Sequence, residues 1–450
     1  MQGIETAASE IAGIELTRGD LENHWMPFTD NKTFKDDPRI IVKGEGVYLW
    51  NHHGERVIDA SGGLFLSAAG HCRPEITKAV AEQLAVLDYS PGFLRGHPGS
   101  FEVANKLAAI LPDPINHVFF CNSGSESVDT AIKMALAYHV SRGEASRTMF
   151  VSRHRAYHGV NIGGTSLSGL VKNRMGFGAL MPGVVHMRST WDENQVFSMG
   201  QPLHRGPELA DDLLNAVQTY GAHNIAACFI EPIAGSTGAL VPPEGYLERI
   251  REICDEHGIL LIFDEVITGF GRTGSAFASQ EFDVTPDILT MAKALTNGAQ
   301  PMGAVAAKDE IYQTVVDASP ADTVEFAHGY TYSAHPAACA AASATLDIYA
   351  REKLFERAKE LSPYFLESVF SLQNLPAVTD IRGYGMFAAI EVAPDGAPGA
   401  RGNKLQKRLF DAGIHLKNTG DAALLAPPLV SEKSHIDEIC EVLRQELARI

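Results

Sequence analysis

Residues 258–274, GILLIFDEVITGFGRTG, decide how the rest of this chain is interpreted. The stretch opens with the unbroken apolar run 259–263, which has the length and branching of a strand buried on both faces of a sheet. Two carboxylates, Asp264 and Glu265, end that run. A charge at the carboxyl end of a buried parallel strand usually faces a ligand, although it can also mark where the strand reaches water. The last six residues, 269–274, match the dinucleotide pattern G-x-G-x-x-G, which offers a third interpretation.

Length, composition and charge restrict the class of protein. The 450 residues are enough for one large domain and a smaller one, and 45% hydrophobic with 20% charged residues is ordinary for a globular protein. The net charge of -18 argues against a nucleic-acid partner, because phosphate binding needs clustered Lys and Arg. The excess of acidic residues can also be explained by solubility alone. We expect no signal peptide and no membrane span, and the six cysteines lack a C-x-x-C pair, so we predict a cytoplasmic protein.

Helical and strand patterns alternate from residue 71 onward, after two strands within 40–59. Such alternation predicts an α/β fold with a mostly parallel sheet covered by helices on both faces. The predicted helices are 74–86, 101–110, 127–142, 208–220 and 243–257, and the predicted strands are 117–120, 148–151, 226–230, 259–263 and 287–292.

The pattern changes after residue 337. A long helix over 337–357, strands within 377–392, a helix over 403–412, a short strand near 414–417 and a closing helix over 434–449 predict a smaller α+β domain. We expect both chain ends to build it. The predicted division is therefore an N-terminal arm, loosely helical at its start, and part of the small domain over 1–70, a large domain over 71–336, and the rest of the small domain over 337–450.

Residues 121–127, CNSGSES, follow the predicted strand 117–120 and precede a helix. Gly and small hydroxyl residues at a strand-to-helix turn present free backbone N–H groups and Ser hydroxyls at the start of a helix, which is an anion site. A phosphate group fits such a site. An ordinary Ser cap of the helix explains the same residues equally well.

Other polar residues follow the neighbouring strands. His154 and His158 have the spacing of a zinc-binding pair, but no Glu follows the first His and no helical pattern surrounds them, so we predict no metal. Tyr157, next to His158, suits stacking on a flat ring. Glu231 follows strand 226–230, and Lys293 follows strand 287–292.

These residues together predict a pyridoxal 5′-phosphate site at the carboxyl ends of the strands. Lys293 would form a Schiff base, Asp264 would pair with the pyridinium nitrogen, and the helix start near Ser125 would take the phosphate. The carboxylate matters because a protonated ring nitrogen makes this cofactor an electron sink. A neighbouring pyridinium and partial desolvation would both help Lys293 to lose its proton.

At these residues the chain resembles a known family. The stretches NSGSES, YHG, FIEPIAG, LIFDEVITGFGRTG, MAKALTNGAQPMGAV and HGYTYSAHP are similar to those of the class III, or ω-amino acid, aminotransferases of fold type I. The likeness runs from residue 24 to the C-terminus. Within that family, HWMPF, GHCRPEI, NHVFF and AGSTGALVPP resemble the β-alanine (ω-amino acid):pyruvate aminotransferases.

The resemblance implies a role for each matching residue. It implies that Lys293 is the Schiff-base and proton-transfer residue and that Asp264 is the pyridinium partner. It implies a ping-pong transfer of an amino group from an amine donor to a 2-oxo acid, and a homodimer or homotetramer with shared active sites. The other cofactor residues implied are Gly124 and Ser125 at the phosphate, Tyr157 and Val266 on the two ring faces, His158 one layer further from the ring, Glu231 on the hydroxyl side, and Thr331 at the phosphate of the neighbouring subunit.

The chain departs from this family around the substrate. Lys417 stands where ω-amino acid:pyruvate members have an arginine that binds the substrate carboxylate, and lysine lacks the bidentate fork. Lys417 could still bind carboxylates more weakly, or the donor could be taurine, a diamine or a bulky amine. Phe65 stands where many relatives have Trp. The remaining residues expected near the substrate are Phe28, Phe93 and Arg95, the last of which could supply the carboxylate contact instead.

Three alternatives stay open at this point. The protein could be a member of the family that uses 2-oxoglutarate rather than pyruvate. The glycine pattern over 269–274 could mark a nucleotide-dependent dehydrogenase, although no clear amphipathic helix follows it. A non-catalytic binding protein on the same scaffold is the third alternative, against which Lys293 and Asp264 argue.

Overall fold

The computed structural model describes residues 16–178 and 180–450. Most of the predicted N-terminal helical arm falls on residues 1–15 and so lies outside the described residues. The chain after it forms a helical turn over Arg18–Leu21 and a short helix over Asn31–Asp36. Strands β1 (Ile41–Glu45), β2 (Tyr48–Asn51) and β3 (Arg56–Asp59) then pair antiparallel, as the alternation over 40–59 predicted.

A seven-stranded sheet forms the centre of the described chain, in the order β4-β10-β9-β8-β7-β5-β6. Strands β5 to β9 pair in parallel, whereas β10 runs antiparallel to both β4 and β9. The mostly parallel sheet is therefore confirmed. Its strands are β4 (Ile115–Cys121), β5 (Met149–Arg153), β6 (Val184–Met187), β7 (Ile225–Ile230), β8 (Leu260–Asp264), β9 (Ile288–Met291) and β10 (Gly303–Lys308).

Helices cover both faces of this sheet, as predicted. Ile262 of β8 belongs to a buried cluster that includes Val128 of helix Gly124–Ser141. Its neighbour Leu261 belongs to a different cluster, built around helix Tyr246–His257. Successive side chains of a strand point to opposite faces, so a central strand covered on both sides must be apolar throughout. All residues of β7, β8 and β9 except the terminal Asp264 are apolar or Thr, and all are buried.

A smaller α+β part surrounds a second sheet, with the order β11-β12-β15-β14. Its strands are β11 (Val378–Tyr384), β12 (Phe387–Val392), β14 (Lys417–Thr419) and β15 (Ala422–Leu425), and β13 (Ile414–His415) lies between them in the chain. Strand β13 pairs in parallel with β3, so the first and last parts of the chain share a sheet. The domain boundaries near residues 70 and 336 stay a prediction.

Several predicted elements have different bounds. The single helix predicted over 337–357 is two helices, because Lys353 adopts a left-handed conformation with φ of 50° between them. Strands β6, β10 and β15 were not predicted, and the short runs of β10 and β15 are rich in Ala, a residue that is depleted in strands. The helices are Gly62–Phe65, Pro74–Val86, Pro98–Ala108, Gly124–Ser141, Ile162–Leu167, Val171–Arg174, Gly206–Ala210, Asp212–Tyr220, Tyr246–His257, Ala278–Glu281, Asp309–Asp317, Pro336–Glu352, Leu354–Phe370, Ala400–Asp411 and Lys433–Leu447, with 3₁₀ turns at Glu193–Gln195, Ala222–Asn224 and Lys293–Thr296.

None of the helices in the described part of the chain has the length and apolar character needed to cross a membrane.

Candidate functional site

Three charged residues lie at one edge of the large sheet. Glu231 follows β7, Asp264 ends β8 and Lys293 comes two residues after β9. Strands β7, β8 and β9 are neighbours and run parallel, so their carboxyl ends open on the same edge. This is the position where open α/β sheets bind their ligands.

Asp264 is held by a set of donors and is only 6% exposed. His158 Nδ1 lies 2.8 Å from Asp264 Oδ2, and a ring nitrogen facing a carboxylate carries the proton. Thr290 Oγ1 and the backbone N of Val266 each donate to Oδ1 at 3.2 Å. The buried Nε2 of His158 has no hydrogen-bond partner among the described residues. The carboxylate is therefore fixed in orientation, and the imidazole behind it is fixed as one tautomer.

Glu231 fixes the loop that carries Tyr157. Its carboxylate accepts from the backbone N of Tyr157 at 2.9 Å and from that of Gly235 at 3.0 Å. Burial raises the pKa of Glu231 and also that of the Tyr157 hydroxyl. Arg153 Nη2 donates to the Glu231 carbonyl at 2.5 Å from within the same edge. Tyr157 is thus oriented through its backbone, which leaves its ring free to contact a ligand.

Lys293 begins a 3₁₀ turn in a left-handed conformation, with φ of 51°. Such a conformation costs free energy in a residue other than Gly and is frequent at functional sites. Burial lowers the pKa of Lys293 to about 8, although the carboxylates of Asp264 and Glu231 favour the charged form. Its Nζ lies 5.4 Å from the centre of the Phe65 ring. The amine therefore becomes neutral, and nucleophilic, at a lower pH than an exposed lysine.

The turn 121–127 caps the helix Gly124–Ser141. Ser123 Oγ accepts from the backbone N of Glu126 at 3.2 Å. This is the ordinary Ser cap that the sequence offered as an alternative to an anion site. The backbone N–H groups of Gly124 and Ser125 form no hydrogen bond within the described chain, so both remain available to an anion. A Cβ added to Gly124 would lie 3.0 Å from a methyl group of Val266, so a larger residue would require the Val266 side chain to shift.

The second carboxylate at the end of β8 does not join the site. Glu265 is fully buried and accepts from the backbone N of Ala278 at 2.6 Å and of Ser279 at 2.8 Å. It also accepts from Thr268 Oγ1 at 3.0 Å, and burial raises its pKa. Glu265 therefore holds the start of helix Ala278–Glu281. Adjacent residues at a strand end point in different directions, which separates Glu265 from Asp264.

The glycine turn 269–274 packs against the small α+β part. A Cβ on Gly271 would lie 2.5 Å from the Phe355 ring, and one on Gly274 would lie 3.1 Å from the Lys359 Cβ. Arg272 is buried and donates to the carbonyls of Met386 and Pro427 at 3.1 and 2.7 Å. The amphipathic helix that a nucleotide-binding glycine turn requires does not follow, since the next helix is the one-turn Ala278–Glu281.

The residues expected around the substrate fall into two groups. Phe65 is buried, and Lys417 is half-buried with a pKa lowered by burial. The backbone N of Lys417 donates to Ser61 Oγ at 3.0 Å, which ties β14 to the turn that carries Phe65. The second group lies on the surface of this chain and comprises Phe28, Phe93, Arg95 and Thr331.

The sequence analysis missed two residues that support the site. Thr290 lies in the apolar run of β9 and donates to Asp264, and Arg153 ends β5 and donates to the carbonyl of Glu231. For Thr290 the available signal was a polar residue inside an otherwise apolar strand, and for Arg153 it was a charge at the carboxyl end of a strand. Among the described residues, no group of three His, Cys, Asp or Glu side chains is arranged to hold a metal ion.

Comparison with known proteins gives a consistent result. The model of the family "Aminotransferase class-III" matches residues 31–447. The chain is 49% identical to an omega-aminotransferase of Caulobacter vibrioides, over 96% of this chain and 98% of that protein. It is 48% identical to the beta-alanine–pyruvate aminotransferase of Pseudomonas aeruginosa, over 95% and 96% of the two chains. A crystal structure of the omega transaminase from Pseudomonas jessenii in complex with PMP superposes with a TM-score of 0.92 at 33% identity, over 97% of this chain and 98% of that chain.

Proposed function

This chain belongs to the class-III aminotransferases and is an enzyme, and from that premise we propose that it is a pyridoxal-phosphate-dependent transaminase. It moves an amino group from an ω-amino acid or amine, such as β-alanine, to pyruvate by a ping-pong mechanism. The observation that carries the proposal is the Asp264 carboxylate oriented by His158 at 2.8 Å, beside a buried lysine whose pKa is lowered to about 8.

The residues present fit pyridoxal phosphate at each of its ends. The free N–H groups of Gly124 and Ser125 at the start of an 18-residue helix suit the phosphate. The carboxylate of Asp264 suits a protonated ring nitrogen, and its hydrogen bond from His158 fixes its orientation. The amine of Lys293 suits covalent attachment of the aldehyde. Val266 and Tyr157 would lie against the two faces of the ring, and Glu231 would support its hydroxyl side.

The chain's own residues would carry the proton transfers. Bound pyridoxal phosphate supplies an electron sink that stabilises negative charge on a substrate carbon. Lys293 Nζ would remove the proton from the substrate carbon that bears the amino group. It would then deliver that proton to C4′, the methine carbon of the cofactor. Asp264 would hold the proton on the ring nitrogen throughout. His158 would prevent the carboxylate from rotating, since its Nδ1–H bonds one oxygen while Thr290 bonds the other.

The proposed acceptor is pyruvate, since two relatives at 48% identity are named for that acceptor. The identity of the donor depends on Lys417, which we propose as the carboxylate contact in place of arginine. A taurine, diamine or bulky amine donor is the alternative, as is 2-oxoglutarate as acceptor. A more distant relative, 36% identical, is named a putrescine–pyruvate aminotransferase, which supports keeping diamines among the candidate donors.

We further propose that the active unit is a homodimer or homotetramer with shared sites. Phe28, Phe93, Arg95 and Thr331 are exposed on this chain, which supports their contributing to the site of a second copy. The proposed compartment is the cytoplasm. The cysteines support it because all six are free and five of them are buried.

The proposed function is tested by the colour of the purified protein. Protein loaded with pyridoxal phosphate will be yellow, and it will lose that visible band when β-alanine is added without an oxo acid. Addition of pyruvate will restore the band, and 2-oxoglutarate in a parallel sample will restore it much more slowly. A colourless protein that pyridoxal phosphate cannot reconstitute would exclude this function.

Replacing Lys417 tests the proposed carboxylate contact. We expect Lys417→Ala to raise the KM for β-alanine and for pyruvate about ten-fold, because a hydrogen bond to a charged group is lost. The KM for a monoamine without a carboxylate should stay the same, and Lys417→Arg should lower the KM for β-alanine through bidentate pairing. Steady-state kinetics with both donors measure the difference. Unchanged β-alanine and pyruvate kinetics in Lys417→Ala would remove Lys417 from the substrate site.

A further inference from the structure

Polar side chains connect the segment before Thr331 to helix Gly124–Ser141. Lys133 Nζ lies 3.3 Å from His328 Nδ1, and His328 Nε2 lies 2.9 Å from Thr130 Oγ1. Thr130 Oγ1 lies 3.2 Å from the Tyr330 hydroxyl, which in turn lies 3.2 Å from the backbone carbonyl of Glu126. The contacts form one continuous series from the surface of the helix to its first turn.

The groups at the two ends of the series determine which atom donates in each of its hydrogen bonds. The Lys133 ammonium has no acceptor, so His328 Nδ1 accepts and the neutral ring carries its proton on Nε2. His328 Nε2–H therefore donates to Thr130 Oγ1. At the other end the Glu126 carbonyl can only accept, so the Tyr330 hydroxyl donates to it. The remaining contact is Thr130 O–H donating to the Tyr330 oxygen, and the Cys121 thiol, 3.4 Å from Thr130 Oγ1, can donate to the same hydroxyl oxygen.

Packing keeps the central residues in place. Thr130 is completely buried, and the His328 ring stacks on Phe119 at 5.5 Å with only 7° between the planes. The Tyr330 ring meets His328 edge-on at 5.0 Å. Burial lowers the pKa of His328, and the Lys133 charge lowers it further, so both favour the neutral ring that the series requires.

The last two members of the series, Tyr330 and Glu126, lie next to the proposed phosphate contacts. Glu126 lies in the same helical turn as Gly124 and Ser125, and Thr331 directly follows Tyr330. On its other side Thr331 is held through its carbonyl, which accepts from the Tyr89 hydroxyl at 3.0 Å. A displacement of Tyr330 would therefore move both phosphate contacts together.

We infer that Thr130, His328 and Tyr330 are positioning residues. They hold the helix start in place for the cofactor phosphate of the same chain, and they hold Thr331 in place for the cofactor phosphate of a second copy. The inference rests on the proposed function, because it assigns these residues to retention of pyridoxal phosphate. It predicts that they affect release of the cofactor rather than binding of the amine or the oxo acid.

The test compares Thr130→Val with Thr130→Ser in the loaded enzyme. Valine keeps the shape of the side chain but removes the hydroxyl, whereas serine keeps the hydroxyl. We expect Thr130→Val to release pyridoxal phosphate about five-fold faster on dialysis, because the buried hydroxyl that bonds both His328 and Tyr330 is lost, with unchanged KM for both substrates. Thr130→Ser should release it at the wild-type rate. Loss of the visible band from the protein fraction measures release.

Two further variants keep the inference testable if Thr130→Val does not fold. Tyr330→Phe removes a single oxygen atom and should accelerate release to the same degree. His328→Gln keeps one donor and one acceptor and should release more slowly than His328→Leu, which has neither. Wild-type release rates in Thr130→Val and Tyr330→Phe, together with lowered melting temperatures, would overturn the inference and leave a purely structural role. A wild-type protein that binds no pyridoxal phosphate would instead overturn the proposed function, and this inference with it.

Discussion

Lys293→Ala will fold and will lose transaminase activity by roughly three orders of magnitude, the scale of a positioned general base. The loss follows because Lys293 is the amine at the carboxyl edge of β9 whose pKa burial lowers to about 8. The melting temperature of the apoprotein should not fall greatly, since the variant also removes a partly buried charge. Single-turnover kinetics, followed through the visible band, measure the chemical step directly.

Lys293→Arg is the matched control for charge. Arginine preserves the positive charge near Asp264 and Glu231, but it stays protonated at every accessible pH and cannot accept a proton. We therefore expect it to be as inactive as Lys293→Ala. Substantial activity in either variant would show that another residue moves the proton.

The lowered pKa of Lys293 also predicts how stability depends on pH. The folded protein releases this proton near pH 8, whereas the unfolded chain keeps it until about pH 10.5. Between these values the unfolded state binds more protons, so this group makes the free energy of unfolding rise with pH. The rise should be present in the wild-type apoprotein and absent from Lys293→Met. Denaturant titrations at pH 7.5 and 9.5, which lie on either side of about pH 8, compare the two.

Asp264→Asn will lower kcat by roughly a hundred- to a thousand-fold, the range expected when a buried charge loses its partner. The amide can still accept from His158 Nδ1–H, so the loop geometry should survive. What disappears is the negative charge that favours a proton on the cofactor's ring nitrogen. The pKa of Lys293 should fall further as well, because Asp264 now raises it. Steady-state kinetics with β-alanine and pyruvate measure the loss.

Glu265→Gln is the control for a carboxylate at the same strand end. The carboxylate of Glu265 accepts from two backbone N–H groups and from Thr268, and it forms no hydrogen bond with a side chain of the site. We expect the free energy of unfolding to fall by about 2 kcal/mol while kcat stays near wild type, since charge-assisted hydrogen bonds are weakened. Equal loss of kcat in both variants would mean that the two carboxylates act together, contrary to this assignment.

The sequence predicted the large sheet and its reactive edge because both depend on local patterns. An unbroken apolar run such as 259–263 can be stable only where both faces of a strand are covered, and the helices predicted over 127–142 and 243–257 supply the cover. Parallel strands then bring their carboxyl ends to one edge, so Asp264, Glu231 and Lys293 could be grouped without coordinates. Knowing which strand each of these three residues follows was enough to group them.

Other features could not be predicted because they depend on the direction of a side chain or on a distant contact. Glu265 follows Asp264 directly, yet it caps helix Ala278–Glu281, and the glycines at 271 and 274 pack against Phe355 and Lys359, far along the chain. Antiparallel β10 enters the sheet between β4 and β9. Each of these depends on long-range packing, for which the local sequence has no signal.

The stretch 258–274 by itself determined that a buried strand ends on a carboxylate, and residues 287–293 added that a lysine follows the next strand, because burial and strand order are consequences of hydrophobicity and chain connectivity. Only the tertiary structure decided that Glu265 holds the start of helix Ala278–Glu281, and that the glycine turn contacts the small α+β part. It also decided that Thr130, His328 and Tyr330 form one series of hydrogen bonds. The physical reason is that hydrogen bonds and close packing join residues that are distant in the chain, and their geometry exists only once the chain is folded.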